Sequence, residues 1–205
     1  RVKPKIHLHN LSVVKGEFYG HGRLSMPYQS IFDGNKEMVP GRRPDILERM
    51  KKIDQLDLID KTVIDLGCNL GANCYSAIHF GARSAVGVDY SPKLISAAIR
   101  LNSYFAAPCS FLVHNLNYEL KNIEPFDTVF CFSITKHLDN IKALEKTILN
   151  ITKKVLYFEG HSNTNIEDYY QILNNNNFSK IELIGYNQAS IDNHKRNRPF
   201  YRCVL

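Results

Sequence analysis

Residues 61–91 read KTVIDLGCNLGANCYSAIHFGARSAVGVDYS, and this stretch leaves the chain little freedom of fold. One apolar run ends at Asp65-Leu66 and opens into a glycine-broken turn. A helical stretch follows and closes at Gly81. A second apolar run then ends at Asp89. Continuous apolar strands joined by a helix belong to a parallel sheet covered on both faces, because the crossover helix must pack back on the sheet it rejoins.

The alternation continues downstream. SPKLISAAIRLNSY predicts a helix, with Ser91 as its cap and Pro92 at its first position. CSFLVHN and FDTVFCFS read as strands, and residues 138–151 as a helix with Ile141, Leu144 and Ile148 on one face. KKVLYFEG is a strand. IEDYYQIL is a helix, with Thr164 and Glu167 as a capping box. NNNN at 174–177 is a turn, and FSKIELIGY and RPFYRCVL are two strands joined by the polar loop NQASIDNHKRNR. With no helix between them, these last two form an antiparallel hairpin. Upstream, RPDILERMKKIDQLDLI sets Ile46, Met50, Ile53 and Leu56 at helical spacing from Pro44. Residues 1–42 are rich in Gly and aromatics and take no long helix, although KIHLHNLSVV reads as a short strand. The expectation is an α/β, three-layer, doubly wound and mostly parallel seven-stranded sheet with a C-terminal antiparallel hairpin. Residues 1–42 are an N-terminal lid or extension, and residues 43–205 form one domain.

Composition sets outer bounds. With 26 Lys and Arg against 20 Asp and Glu, the net charge of +6 permits an anionic partner without demanding one. The five cysteines form no C-x-x-C pair and sit mostly in apolar runs, as reduced core thiols do. No metal site is expected. No window is long and apolar enough for a membrane span, no signal-peptide pattern opens the sequence, and a cytoplasmic location is expected.

In a doubly wound sheet, ligands sit beyond the carboxyl ends of the strands. There the first strand offers Asp65 and the turn from Gly67 to Gly71. The second offers Asp89, placed to accept from both hydroxyls of a ribose. The turn reads G-x-x-x-G, and Asp65 beside it would repel a pyrophosphate. S-adenosylmethionine carries an ammonium and a sulfonium and no phosphate, so the sign of Asp65 favours it over a dinucleotide.

VIDLGCNLG and AVGVDYS resemble the glycine motif and the acidic second-strand motif of Rossmann-like S-adenosylmethionine-dependent methyltransferases, with Asn69 where many members have Gly. The resemblance implies that Asp65, Gly67, Cys68, Asn69 and Gly71 line the methionine part and the turn. It places Asp89 on the ribose, with Tyr90 near the adenine and Asn115 at the adenine amine. Phe132 joins the cofactor-binding set, and Arg42 would pair with the ligand carboxylate. A narrower likeness joins FYG, the GR at Gly41 and Arg42, DLGCNLG, FSITKHL and RPFY to the methylphosphate capping enzymes, which methylate the terminal phosphate of an RNA. The chain lacks that family's tryptophan after Lys136 and reads EGH where a proline-containing run is expected.

Methyl transfer asks the protein mainly to align an acceptor, and a hydroxyl acceptor also needs a base. Lys136 and His137 follow the fourth strand, and Glu159 and His161 end the fifth. Together they read as a general-base site. Tyr19, Arg23 and Tyr28 of the lid, with Lys195 and Arg196 of the polar loop, would contact the acceptor. The first expectation is therefore an enzyme, an S-adenosylmethionine-dependent methyltransferase acting on an oxygen of a small anionic or sugar-like acceptor. The alternatives are an RNA methyltransferase acting on a terminal phosphate or ribose, and a non-catalytic cofactor-binding scaffold.

Overall fold

The computed structural model describes residues 27–162, 166–174, 177–191 and 194–205. The expected strand in KIHLHNLSVV, the lid residues Tyr19 and Arg23, and the cap Thr164 lie outside them. The chain forms β1 (Ile31–Asp33), β2 (Lys36–Val39), α1 (Ile46–Met50), β3 (Thr62–Leu66), α2 (Ala72–His79), β4 (Ser84–Asp89), α3 (Pro92–Phe105), β5 (Cys109–Val113), β6 (Phe126–Phe132), α4 (Ile141–Ile151), β7 (Thr152–Glu159), α5 (Ile166–Asn174), β8 (Lys180–Ile191) and β9 (His194–Val204). β3 to β9 make one seven-stranded sheet in the order β5-β4-β3-β6-β7-β9-β8. Only β9 runs against its neighbours. The expected three-layer α/β architecture and its hairpin are observed.

Two apolar layers cover the sheet. Along β6 every residue is buried, and from Val129 to Phe132 its side chains alternate between the two faces. Phe130 and Phe132 pack with Met50, Tyr75, Ile95 and Leu101 on one face. Val129 and Cys131 pack with Leu144, Ile148 and Leu173 on the other. A strand that buries both faces is mostly apolar on both, which is why VFCF at 129–132 reads as continuous rather than alternating; the buried Asp127 at its start is paired with Thr62. The order also sets the ligand edge: after β3 the chain builds outward through β4 and β5, then returns to the opposite side of β3 with β6. The carboxyl ends of β3 and β6 therefore flank the switch point where a crevice forms.

Several local expectations are corrected. Residues 31–39 are a hairpin, with Gly34 at φ +63° after Asp33; the Asp-Gly pair is its sequence signal. The helix after Pro44 covers only five residues, and a separate 3₁₀ turn, Gln55–Asp57, follows it. Asp54 caps that turn through Leu56 N at 2.9 Å, which leaves Leu56 exposed. Asp57 accepts from the Tyr157 hydroxyl at 2.6 Å and from Arg202 Nε at 2.7 Å, fastening the turn to β7 and β9. The helix expected from residue 138 starts at Ile141, because Asn140 Oδ1 accepts from Ala143 N at 3.3 Å. The polar loop is largely strand: Gln188 pairs with Asn197, and Ile191 with His194. Among the described residues, no helix is long and apolar enough to cross a membrane.

Gly71 caps α2 at φ +82°, and a Cβ there would meet the Phe111 ring at 2.5 Å. Gly71→Ala should destabilise the fold by about 1–3 kcal/mol, read as a lower urea midpoint at unchanged slope. A variant as stable as the parent would show that the turn relaxes freely.

Candidate functional site

The turn after β3 is held by its own backbone. Gly67 N and Cys68 N both donate to Val88 O, at 2.8 and 2.9 Å, so the turn is tied to the end of β4. Gly67 has φ +81°, and a Cβ there would meet Ile134 Cγ2 at 2.5 Å. Asn69 adopts φ +53°, which asparagine tolerates because its short side chain bonds locally: Oδ1 accepts from Leu70 N at 3.0 Å. Cys68 is fully buried and supports the turn from beneath.

Asp89 braces this loop. One carboxylate oxygen accepts from Asn69 N at 2.9 Å and the other from Ser91 N at 3.0 Å. Burial raises its pKa above the usual carboxylate value, although backbone donors from Ser91, Asn69 and Tyr90 oppose the shift. Tyr90 beside it is 72 % exposed and leaves an aromatic face free to receive a ring. Asn115, exposed after β5, spends an Oδ1 lone pair on Asn117 N at 3.0 Å, so the acceptor expected at the adenine amine also serves a turn.

Asp65 is buried at the end of β3. Oδ2 accepts from Asn73 Nδ2 at 2.9 Å, and Oδ1 is buried with no hydrogen-bond partner. Burial pushes this carboxyl up to about 6 against the Asn73 hydrogen bond and the Arg49 charge, and Asp89 adds to the rise. A buried acceptor without a donor is a standing penalty that a cationic ligand group would remove. The turn, the two acids and the orphaned oxygen therefore fit S-adenosylmethionine.

Beyond β6 the electrostatics reverse. Glu159, the last residue of β7, is fully buried and receives five side-chain partners. Arg43, Arg198 and Ser133 reach Oε1 at 3.2, 3.4 and 2.6 Å; Arg49 and Asn187 reach Oε2 at 3.2 and 2.8 Å. Burial opposes its ionisation, but Arg49 and Arg43 hold it well below the usual carboxylate range. The expectation that Glu159 acts as a general base is corrected: an acid so stabilised in its charged form has little affinity for a proton. Arg43 enters this centre and also binds Asp45 at 2.6 Å, while the backbone N–H of its neighbour Arg42 donates to Pro27 O at 3.0 Å. Arg198 was expected near the substrate entrance, but Arg49 and Asn187 were missed. Arg49 hides among helical charges, and Asn187 sits in the stretch read as a loop. A cavity of about 310 Å³ is lined by Asp45, Glu48, Arg49, Lys52, Tyr186, Asn187 and Gln188 and by none of the residues 65–71, so it lies beside the Glu159 cluster and away from the glycine turn.

Lys136, His137 and His161 do converge. The first two lie in a 3₁₀ turn, Thr135–His137, and Lys136 N donates to His161 Nε2 at 3.3 Å. The two imidazole rings lie 5.9 Å apart. Burial pushes His161 down to about 4, helped by the charges of Arg198, Lys136 and His137. Phe132 is buried beneath the Arg49 guanidinium, 4.4 Å from its ring centroid. Tyr28 keeps an exposed face. Burial works to raise its phenol, but Arg43 and Arg198 bring it below the usual tyrosine value. Lys195 and Arg196 are paired with Ser190 and Ala189 near the tip of the β8–β9 hairpin, at the same end of the sheet.

Glu159→Gln would leave three guanidinium groups facing a neutral amide and should destabilise the fold by about 3–5 kcal/mol. The native carboxyl is depressed, so its stabilisation is present at neutral pH and lost as pH falls below the ordinary carboxylate range. Urea midpoints measured from pH 7 down to pH 3 should thus fall less for the variant than for the parent. Equal midpoints at pH 7 would remove Glu159 from the centre of the fold.

A family model described as "Methyltransferase domain" matches residues 59–196. The ribosomal protein L11 methyltransferase of Histophilus somni (strain 2336) is 34% identical over 114 residues, 55% of this chain and 37% of that protein. That of Pasteurella multocida (strain Pm70) is 45% identical over 58 residues, 28% of this chain and 20% of that protein. The chain thus spans well under half the length of these curated relatives. Its fold is similar to magnesium protoporphyrin IX methyltransferase from Synechocystis PCC 6803 with bound S-adenosylmethionine, at TM-score 0.63 and 18% identity, covering 78% of this chain and 77% of that one. It is also similar to the bifunctional kinase-methyltransferase WbdD, at TM-score 0.70 and 20% identity, covering 96% of this chain and 46% of that one. With the matched segment running from β3 into the terminal hairpin, the chain belongs to the methyltransferase domain family.

Proposed function

We propose that this domain methylates an oxygen of a small anionic acceptor. The observation that carries the reading is the change of sign across the switch point: Asp65 and Asp89 on the β3–β4 side, and on the β6–β9 side three arginines around the one carboxylate of Glu159, with a low-pKa histidine. S-adenosylmethionine, when bound, would supply a methyl carbon activated by its sulfonium, to be taken up by an acceptor oxygen with the C–S electron pair left on sulfur. The residues do the rest. Asp89 receives the ribose hydroxyls, Tyr90 covers the adenine and Asn115 approaches its amine. Asp65 and the turn Gly67, Cys68, Asn69 and Gly71 hold the methionine end, above Phe132.

An acceptor that is already anionic needs no base. That suits a histidine held near 4, which is neutral at neutral pH and a weak proton acceptor. His161, His137 and Lys136 then orient the acceptor rather than deprotonate it. Tyr28 and Arg198 grip its remaining charge, Arg43 and Arg49 are held in place by Glu159, and Lys195 and Arg196 add positive charge at the rim. A neutral sugar hydroxyl would find no strong base among these groups. The curated relatives are named for a ribosomal protein acceptor; an uncharged protein amine would find little use for the arginines.

Two measurements test this. Asp89→Ala should weaken binding of S-adenosylhomocysteine by about 1.5–3 kcal/mol in calorimetry, through loss of charged hydrogen bonds. Asp89→Asn separates the lost charge from a loosened turn, and unchanged affinity in both would end the ribose assignment. For the acceptor, cell extract incubated with methyl-labelled cofactor should place label in small molecules retained by an anion exchanger. Arg198→Lys should cut that label about tenfold or more, a transition-state effect of about 1.4 kcal/mol, while cofactor affinity holds. Label in RNA or protein fractions instead would replace the small acceptor.

A further inference from the structure

The cofactor acid and the arginine centre are joined by one buried path. Asn73, in the first turn of α2, donates through Nδ2 to Asp65 Oδ2 at 2.9 Å and accepts through Oδ1 from Arg49 Nη2 at 2.6 Å. Arg49 Nη1 continues to Glu159 Oε2 at 3.2 Å. All four residues are at most 1 % exposed, so water cannot substitute for any link. β6 lies between β3 and β7, and the path crosses above it, with the guanidinium seated over Phe132.

The chemistry of the donors gives this path a direction. A guanidinium has only N–H donors, so the Asn73 oxygen must face Arg49 and its amide nitrogen must face Asp65. The amide nitrogen can only donate, so Asp65 Oδ2 must stay an acceptor. Any proton on this acid is thereby confined to Oδ1, the oxygen that has no partner. The other groups that face Asp65 are Arg49 from α1, Asp89 from the end of β4, and the thiols of Cys68, Cys74 and Cys131 from the turn, α2 and β6. Burial raises all three thiols, so at neutral pH they stay uncharged and Arg49 is the one cation of the set.

We propose that Asn73, oriented by Arg49 against Glu159, is a positioning residue that leaves Oδ1 of Asp65 as the single point where a proton and the positive charge of the cofactor compete. This rests on the reading of Asp65 as a cofactor-binding acid. It makes cofactor affinity a function of pH through an amide that touches no ligand, and it links the acidic and basic halves of the site through Arg49.

The test uses S-adenosylhomocysteine, which keeps the ammonium and lacks the sulfonium, titrated calorimetrically into the protein from pH 5 to pH 8. The parent should lose affinity as pH falls through about 6, approaching tenfold per unit at the acid end. Asn73→Ala should move that midpoint upward by a unit or more, yet weaken binding less than threefold at pH 8. Asn73→Ser, which retains a short hydroxyl, should shift it less. Asp65→Asn should abolish the acid limb and lower affinity throughout. If Asp65→Asn binds and titrates like the parent, the cofactor reading of Asp65 fails. If Asp65→Asn behaves as stated and Asn73→Ala keeps the parental midpoint, the positioning role alone fails. A ¹³C-carboxyl NMR titration of ligand-free parent and Asn73→Ser supplies the same midpoint without ligand, and identical Asp65 curves there would overturn the proposal.

Discussion

One buried carboxylate organises the carboxyl end of the sheet. Glu159 draws Arg43 from before α1, Arg49 from within it and Arg198 from β9 into a space closed to solvent. Ser133 and Asn187 complete its lone pairs. Burying such a group is unfavourable unless every partner is in place, so each partner is positioned by the others. α1, the β6 end, the β7 end and the hairpin are therefore locked into one arrangement by charge rather than by apolar packing alone.

That arrangement divides the crevice by sign. On the β3–β4 side the site offers Asp65 and Asp89, both with pKa values raised by burial. On the β6–β9 side it offers guanidinium groups and a histidine kept neutral by burial and by the cations around it. A cationic nucleoside and an anionic acceptor would be sorted to opposite sides by these fields, with their reacting atoms meeting between. Arg49 lies on the boundary, where it holds Glu159 with one nitrogen and the amide of Asn73 with another.

Much of the fold was legible because its signals are local. The Asp65–Gly71 turn, the Ser91 cap and Pro92 of α3, and the apolar runs of β3, β4, β6 and β7 each declare themselves within a few residues. The misreadings fall where a distant partner overrides local pattern. Leu56 fits a helical spacing, yet the Asp54 backbone N–H and the Asp57 carboxylate both bond the distant Tyr157 hydroxyl and the helix ends before it. NQASIDNHKRNR reads as a loop because it is polar, yet much of it extends a hairpin in which Arg198 and Asn187 turn toward a buried acid. Nothing in the sequence near Arg43 tells that it reaches Glu159, 116 residues away, which only the closed fold brings alongside it.

The sequence by itself determined the strand–turn–helix–strand unit, the sheet class and the acids at the ends of β3 and β4, since each depends on residues close enough in the chain to constrain one another. The tertiary structure alone decided what Glu159 does. Its arginine partners lie 116, 110 and 39 residues away, and whether a carboxyl is a base or the anchor of an ion cluster depends on which charges surround it once the chain has closed.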